Sequence, residues 1–323
     1  MRRFNWCIIG SGWIAHEMGD VLQQLDGIYG VFNHSKEEAK KYAEEYNVSH
    51  VFTKEEEMLA DENIDIVYVA TPHNLHYQFT KNALLAGKNV FAEKVITVNS
   101  EQLEECVAIA KEKNLMIMEG MTLYHMPLFK EMKRRIETGD IGKVKLVQVN
   151  FGSHKEYDTT HRFFSKELAG GALLDIGVYA LSFARFFLEQ KPNVVLSTVN
   201  YFETSVDEES GILMKNEQGQ MVVTALTMRA KQPKRGVVVG EKGYIEIEEY
   251  PRADKGKIVY TETGKVEEIS SGNSADALKY EALALQKCIE DNDNGEELRY
   301  TRDVNALLTE VRNIWGFKYP FEE

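Results

Sequence analysis

The chain is 323 residues long, 43% hydrophobic and 28% charged, and its 38 Lys and Arg against 51 Asp and Glu leave a formal net charge of −13. That length suits two globular domains, and so acidic a balance argues against nonspecific nucleic-acid binding or docking on an anionic membrane, both of which select basic patches. No run approaches 18 apolar residues, the short apolar run after Arg2 and Arg3 breaks at Gly10, and Cys7, Cys106 and Cys288 form neither a disulfide framework nor a metal knuckle, so a cytoplasmic protein with no signal peptide, membrane span or metal is expected.

In chain order, the first third alternates short apolar runs with amphipathic segments. Trp6-Cys7-Ile8-Ile9 predicts a buried strand, followed by a glycine turn and a helix to about Leu25. Gly30-Val31-Phe32 predicts a second strand, and Ala39, Tyr42, Ala43 and Tyr46 then recur at helical spacing over residues 36–46. The β-branched run from Ile64 to Ala70 ends at Thr71-Pro72, and the helix after it closes at Ala86-Gly87, a glycine placed as a C-cap. Asn89 to Ala92 predicts a strand, Ser100 to Lys113 a helix and Leu115 to Glu119 a strand. Such alternation with short connections implies a parallel, doubly wound sheet. The charge run Glu55-Glu56-Glu57 is expected at the surface.

Near residues 120 to 125 the character changes. Runs at Lys145–Phe151, Val194–Phe202, Gly211–Lys215, Met221–Met228, Arg235–Val239, Tyr244–Ile247 and Lys257–Tyr260 read as strands joined by polar turns. Helical patterns at Met126–Thr138 and Ala172–Glu189 interrupt them, and two more, about Ala275–Asn292 and Arg302–Trp315, close the chain. The predicted class is therefore α/β: a Rossmann domain over residues 1–121, then an α+β domain with a mostly antiparallel open sheet over residues 122–323, its last helix free to pack back on the first domain.

Strand, then Gly10-Ser11-Gly12-Trp13-Ile14-Ala15, then helix is the G-x-G-x-x-G/A dinucleotide fingerprint in its required context. Gly10 permits the tight turn, Gly12 lets the backbone approach a pyrophosphate, and Ala15 keeps the helix close to the strand. The helix start supplies unpaired N–H groups for the anion. About 20 residues on, NAD enzymes carry an acid for the ribose hydroxyls. Here the second strand ends in Asn33-His34-Ser35 without one, so a 2′-phosphate is not repelled and Asn33, His34 and Lys36 offer donors. That leans toward NADP over NAD. Asn33 and Ser35 also suit a plain helix cap.

Three further segments carry a resemblance. Thr71-Pro72-His73-Asn74-Leu75-His76 resembles the TPxxxH loop of the Gfo/Idh/MocA oxidoreductases, Glu93-Lys94 resembles their EKP signature, and Gly170-Gly171-Ala172-Leu173-Leu174-Asp175-Ile176-Gly177-Val178-Tyr179 their GGxxxDxGxH/Y segment. The likeness runs to Phe317-Lys318-Tyr319-Pro320 and is greatest to the branch holding dihydrodiol dehydrogenases, xylose dehydrogenases and glucose–fructose oxidoreductase. It implies hydride transfer between nicotinamide and a sugar, cyclic polyol or vicinal diol. It also implies a homodimer or tetramer built through the open sheet. Thr71, Pro72, Asn74, His76, Glu93 and Lys94 would then meet the cofactor. Lys94, at the carboxyl edge of the sheet, would hold the substrate oxygen, and Tyr179 would move the proton. A free phenol titrates near 10, so Tyr179 needs a cation such as Lys94. Asp175, one helical turn before Tyr179, would orient the base, Lys94 or a substrate hydroxyl, and it also suits a helix cap after the glycines. His125 and Arg162 are candidate substrate contacts, Arg162 for an anionic or polyhydroxyl group.

One departure is Val95 where the family has proline. A cis bond before a residue other than proline costs roughly 2.5–4 kcal/mol, so a trans Lys94–Val95 bond is expected. Two other readings of the same fold are a non-catalytic NAD(P)-binding sensor and a hydrolase or isomerase using tightly held NAD.

Overall fold

The computed structural model describes residues 3–322; Met1, Arg2 and Glu323, and with them part of the charged amino-terminal segment, lie outside. The described residues divide into two compact units, Met1–Gly120 with Leu278–Arg299, and Met121–Ala277 with Tyr300–Glu323.

The first unit starts as β1 (Trp6–Ile9), α1 (Trp13–Gln24), β2 (Ile28–Phe32), α2 (Lys36–Tyr46), β3 (His50–Phe52) and α3 (Glu55–Leu59). It continues as β4 (Ile66–Val69), α4 (His73–Leu85), β5 (Asn89–Glu93), α5 (Ser100–Lys113) and β6 (Ile117–Gly120). Every pairing in its sheet is parallel, in the order β3-β2-β1-β4-β5-β6. That is the Rossmann order, with its switch point between β1 and β4. A parallel sheet covered on both faces needs apolar residues at every position, and β1 and β4 are buried throughout. The side-chain period of two still sorts them: Trp6, Ile8 and Tyr68 enter one core, Cys7, Ile9, Val67 and Val69 the other. Helix starts follow local chemistry, Ser35 accepting from Glu38 N and Asn99 from Gln102 N. The short β3 and α3 have no counterpart in the sequence reading. Glu55, Glu56 and Glu57 form the first turn of α3, where acids suit the positive helix end.

The second unit follows with α6 (Pro127–Glu137), β7 (Val144–Gly152), a π-turn (Leu173–Gly177) running into α7 (Val178–Phe187), and β8 (Val194–Tyr201). Next come β9 (Asp207–Lys215), β10 (Met221–Thr227), β11 (Gln232–Gly240), β12 (Gly243–Glu248), β13 (Lys255–Tyr260) and β14 (Val266–Ser270). The eight strands are ordered β14-β13-β12-β11-β7-β10-β9-β8, antiparallel except for the β7–β10 pair. One face packs on α7, where Phe183 presses so closely on Gly236 that a Cβ would overlap the ring. The opposite face exposes Leu196, Leu213, Met221 and Val223, with Leu196 opposite Leu213 and Leu213 opposite Val223.

The chain then re-enters the first unit as α8 (Ala277–Asp291), before α9 (Glu297–Ile314). Leu278, Ala282 and Leu285, four and three residues apart on one helical stripe, fill the core containing Trp6, Tyr68 and Phe91. The segment that joins the first unit is thus the penultimate helix, whereas the sequence pointed to the last. Leu285 is fully buried in that core, so truncating it leaves a cavity. Leu285→Ala should cost about 2–5 kcal/mol of unfolding free energy, read by urea denaturation.

Candidate active site

The phosphate-binding turn is built at the carboxyl ends of β1, β2 and β4. Gly10 has φ +98, and a Cβ there would stand 2.5 Å from Ala70 O, so only glycine fits. Gly12 is the opposite case. Its backbone is extended (φ −76, ψ 177) and a Cβ would meet nothing within 4 Å. That open space borders the start of α1, whose first turn has neither a side-chain cap nor an acid. Donors aimed at empty space beside a glycine suit a pyrophosphate. Trp13, the first residue of α1, is 72% exposed and presents an indole beside the turn; Ser11 and Ile14 are partly buried beside it.

At the end of β2, the amide nitrogen of Asn33 donates to Ser11 Oγ at 2.7 Å and its Oδ1 accepts from Ser35 N at 2.9 Å. Asn33 therefore ties the glycine turn to the β2–α2 loop, and Ser35 caps α2. His34 and Lys36 are exposed, and the donors open to a 2′-phosphate are theirs.

Across the switch point, Thr71 and Pro72 precede α4. Thr71 Oγ1 and Asn74 Oδ1 are buried and have no hydrogen-bond partner among the described residues, which suits a bound polar group. His76 is fully buried, its ring nitrogens 2.8 Å from Val95 O and 2.7 Å from Thr71 O. It joins the Thr71 loop to the segment after Lys94 and turns neither nitrogen outward. Glu93 is buried too and accepts from Tyr68 Oη at 2.6 Å. Lys94 is partly exposed at the end of β5.

The Lys94–Val95 peptide is cis, so the expected trans bond is corrected. The tertiary frame, which local bond preference ignores, holds both sides of this turn: His76 meets Val95 O, and Ile96 N donates to Glu119 Oε1 at 3.0 Å.

In the second unit, the helix expected over residues 172–189 begins as the π-turn, with Val178 N donating to Leu173 O, five residues back. Such turns recur at functional sites. Asp175 is buried inside it and Tyr179 stands just past it, partly exposed, its ring 6.0 Å from that of Phe151. Asp175 Oδ1 lies 3.6 Å from Arg162, whose side chain stays 40% exposed. His125 is enclosed, without a partner for either ring nitrogen among the described residues; burial first, then the charge of Lys130, push its pKa down to about 3. It is a neutral group. Tyr250, missed in the sequence, packs on Phe151 and Phe183, and its hydroxyl is buried without a described partner. Its sequence neighbours, Glu248, Glu249, Pro251 and Arg252, give no signal for it.

Residues 4–121 match the oxidoreductase family with an NAD-binding Rossmann fold, and residues 129–246 match the GFO/IDH/MocA C-terminal domain. The chain is 29% identical to a trans-1,2-dihydrobenzene-1,2-diol dehydrogenase of Xenopus laevis, covering 98% of this chain and 99% of that protein. It is 27% identical to a scyllo-inositol 2-dehydrogenase (NADP(+)) of Bacillus subtilis (strain 168), over 99% of both. Among solved structures, a 3-ketoreductase from Actinomadura kijaniata in complex with NADP and TDP-benzene shares the fold at a TM-score of 0.86 and 22% identity, over 97% of this chain and 98% of that one.

Because the Cβ position of Gly12 is vacant, Gly12→Val should leave unfolding free energy within about 0.5 kcal/mol of the parent. The added side chain fills the anion's space, so calorimetric affinity for NADP should fall at least about tenfold.

Proposed function

This chain belongs to the Gfo/Idh/MocA family of NAD(P)-dependent oxidoreductases, and we propose that its substrate is a sugar, cyclic polyol or vicinal diol, oxidised at a carbinol carbon or reduced at the matching carbonyl. The observation that carries this reading is the open Gly12 turn together with the unpartnered Thr71 Oγ1 and Asn74 Oδ1, a cradle of backbone donors and neutral polar groups suited to a dinucleotide. Two relatives that match nearly the whole chain are named for a dihydrodiol and an inositol, which supports a substrate with neighbouring hydroxyls.

When bound, the nicotinamide supplies or accepts the hydride. The rest falls to this chain. Lys94 holds the substrate oxygen and stabilises its developing negative charge. Tyr179 takes up or returns the hydroxyl proton, and Asp175, kept beside Arg162, accepts from a substrate hydroxyl. Gly10, Ser11, Gly12, Trp13 and Ile14 meet the phosphates, with Trp13 covering them. His76 acts at one remove by fixing the Thr71 loop, and Glu93, which accepts from Tyr68, meets the cofactor.

The cofactor reading leans to NADP. No carboxylate ends β2, and His34 and Lys36 are the exposed donors there. The scyllo-inositol dehydrogenase is named for NADP(+), which supports the same choice.

We also infer a homodimer or tetramer through the open sheet face, where exposed Leu196, Leu213 and Val223 lie side by side with Met221 next along β10, an apolar surface suited to a partner. No described helix is long and apolar enough to cross a membrane. The three free thiols suit a reducing compartment, so we place the protein in the cytoplasm.

Three outcomes test these readings. Lys94→Ala should lower kcat by at least about a hundredfold on scyllo-inositol or xylose with NADP, followed at the nicotinamide absorbance, while NADP affinity changes less than about threefold; full retained activity would remove Lys94 from the mechanism. Asn33→Asp puts a carboxylate at the end of β2 and should move the NADP-to-NAD preference by at least about tenfold toward NAD, read as a ratio of calorimetric affinities. Leu213→Lys should shift the mass in sedimentation equilibrium to that of one chain; an unchanged mass would place the interface elsewhere.

A further inference from the structure

We propose that Asp207 is a positioning residue for the segment carrying Asp175 and Tyr179, gripping the start of that segment by its main-chain N–H groups without touching substrate. This rests on the functional reading above for what the segment does, and on geometry alone for how it is held.

Asp207 opens β9, 34 residues after the segment in sequence, and is 2% exposed. Its Oδ2 accepts from Leu173 N at 2.6 Å, and Ala172 N–H also donates to the carboxylate. Leu173 is where the π-turn begins. A rotation there swings Asp175 two residues on and Tyr179 six residues on. Gly171 has φ +114, and a Cβ on it would overlap Asp207 Oδ1, so the second glycine of the pair leaves room for this carboxylate. The first is explained by another neighbour: a Cβ on Gly170 would stand 2.6 Å from both Arg162 O and Phe163 O. Gly171 N donates to Phe163 O at 3.0 Å, and Tyr319 Oη donates to Gly170 O at 2.7 Å. The turn is therefore held by β9, by the strip bearing Arg162 and by the carboxyl-terminal tyrosine.

A buried carboxylate is a costly way to hold a turn. Burial pushes the Asp207 carboxyl up to about 6, against the pull of the Leu173, Asp207 and Ala172 N–H groups and of Arg312. The titratable groups around it are Arg312 of α9, Tyr201 of β8 and Tyr319. Arg312 is itself paired with Glu322 at 2.5 and 2.9 Å. Since the folded pKa lies above the usual carboxylate value, this group's stability contribution is fully present below about 4 and is lost as pH rises through about 6. At neutral pH the charge thus weakens the fold. Its use is to accept from these N–H groups as a full negative charge, a stronger acceptor than a neutral amide oxygen.

The test compares the full chain with Asp207→Asn and Asp207→Ala. At about pH 7.5 Asp207→Asn should melt no lower than the parent, because it removes a buried charge. Amide exchange over residues 172–175 should quicken at least about tenfold, and kcat on scyllo-inositol or xylose should fall at least about tenfold with the NADP KM unchanged. The parent's turnover should also decline as pH falls through about 6, where the carboxyl takes up a proton, and Asp207→Asn should lack that limb. Unchanged exchange in Asp207→Asn would overturn the proposal, as would a melting loss that parallels the kcat loss. Asp207→Ala, which removes every acceptor, should exchange at least as fast as Asp207→Asn; slower exchange would count against the clamp. If the parent turns over neither polyol, the substrate reading fails, and exchange still decides the clamp.

Discussion

Main-chain N–H groups at a helix start have no partner within the helix, and this fold is organised around two places where glycine presents them to an anion. At α1 the crowded Gly10 sets the turn while Gly12 keeps a space clear beside the uncapped first turn. At the π-turn the crowded Gly170 and Gly171 set the turn, and the carboxylate of Asp207 already fills the space. One set of donors is left for a ligand's phosphates. The other is satisfied from within and so fixes the side chains that follow it.

Much of the first unit was legible because parallel strands buried on both faces are written as unbroken apolar runs, as at Trp6–Ile9 and Ile66–Val69. Helices 36–46 and 100–113 were readable to the residue, since their caps are local: Ser35 and Asn99 each bond a residue three further on. What escaped was short or long-range. The three-residue β3 has too few positions to show a period. Val266–Ser270 is a five-residue edge strand whose adjacent Glu267 and Glu268 break any alternation, so it offers no strand signal.

The site divides in the same way. Gly10 and Gly12 announce themselves because their reason lies within a few residues, while Asp207, Tyr250 and Glu119 do not, because each acts on a segment far away in sequence. His76 belongs to a recognisable loop motif, but that its partners, Thr71 O and Val95 O, lie in two separate loops is visible only in the structure. The Lys94–Val95 bond makes the point most directly. Local preference favours trans there, whereas the bond is cis and the groups beside it are held by partners up to 23 positions distant, which no dipeptide rule contains.

The charge of −13 adds a constraint on recognition. A protein so acidic gains nothing from long-range attraction of a phosphate-bearing cofactor, and at physiological ionic strength such fields fade within about 8 Å in any case. Binding must be won at contact, from donors fixed before the ligand arrives. The chain supplies these with the α1 amino end, the Asn33–Ser11 bond that locks the turn, and the nearby His34 and Lys36. The main-chain donors among these carry no counter-ion to displace and lose little freedom on binding, so they compensate for an unfavourable overall field. The same logic holds inside the second unit, where Asp207 is held by N–H groups at contact and Arg312, already committed to Glu322, acts on it only at a distance.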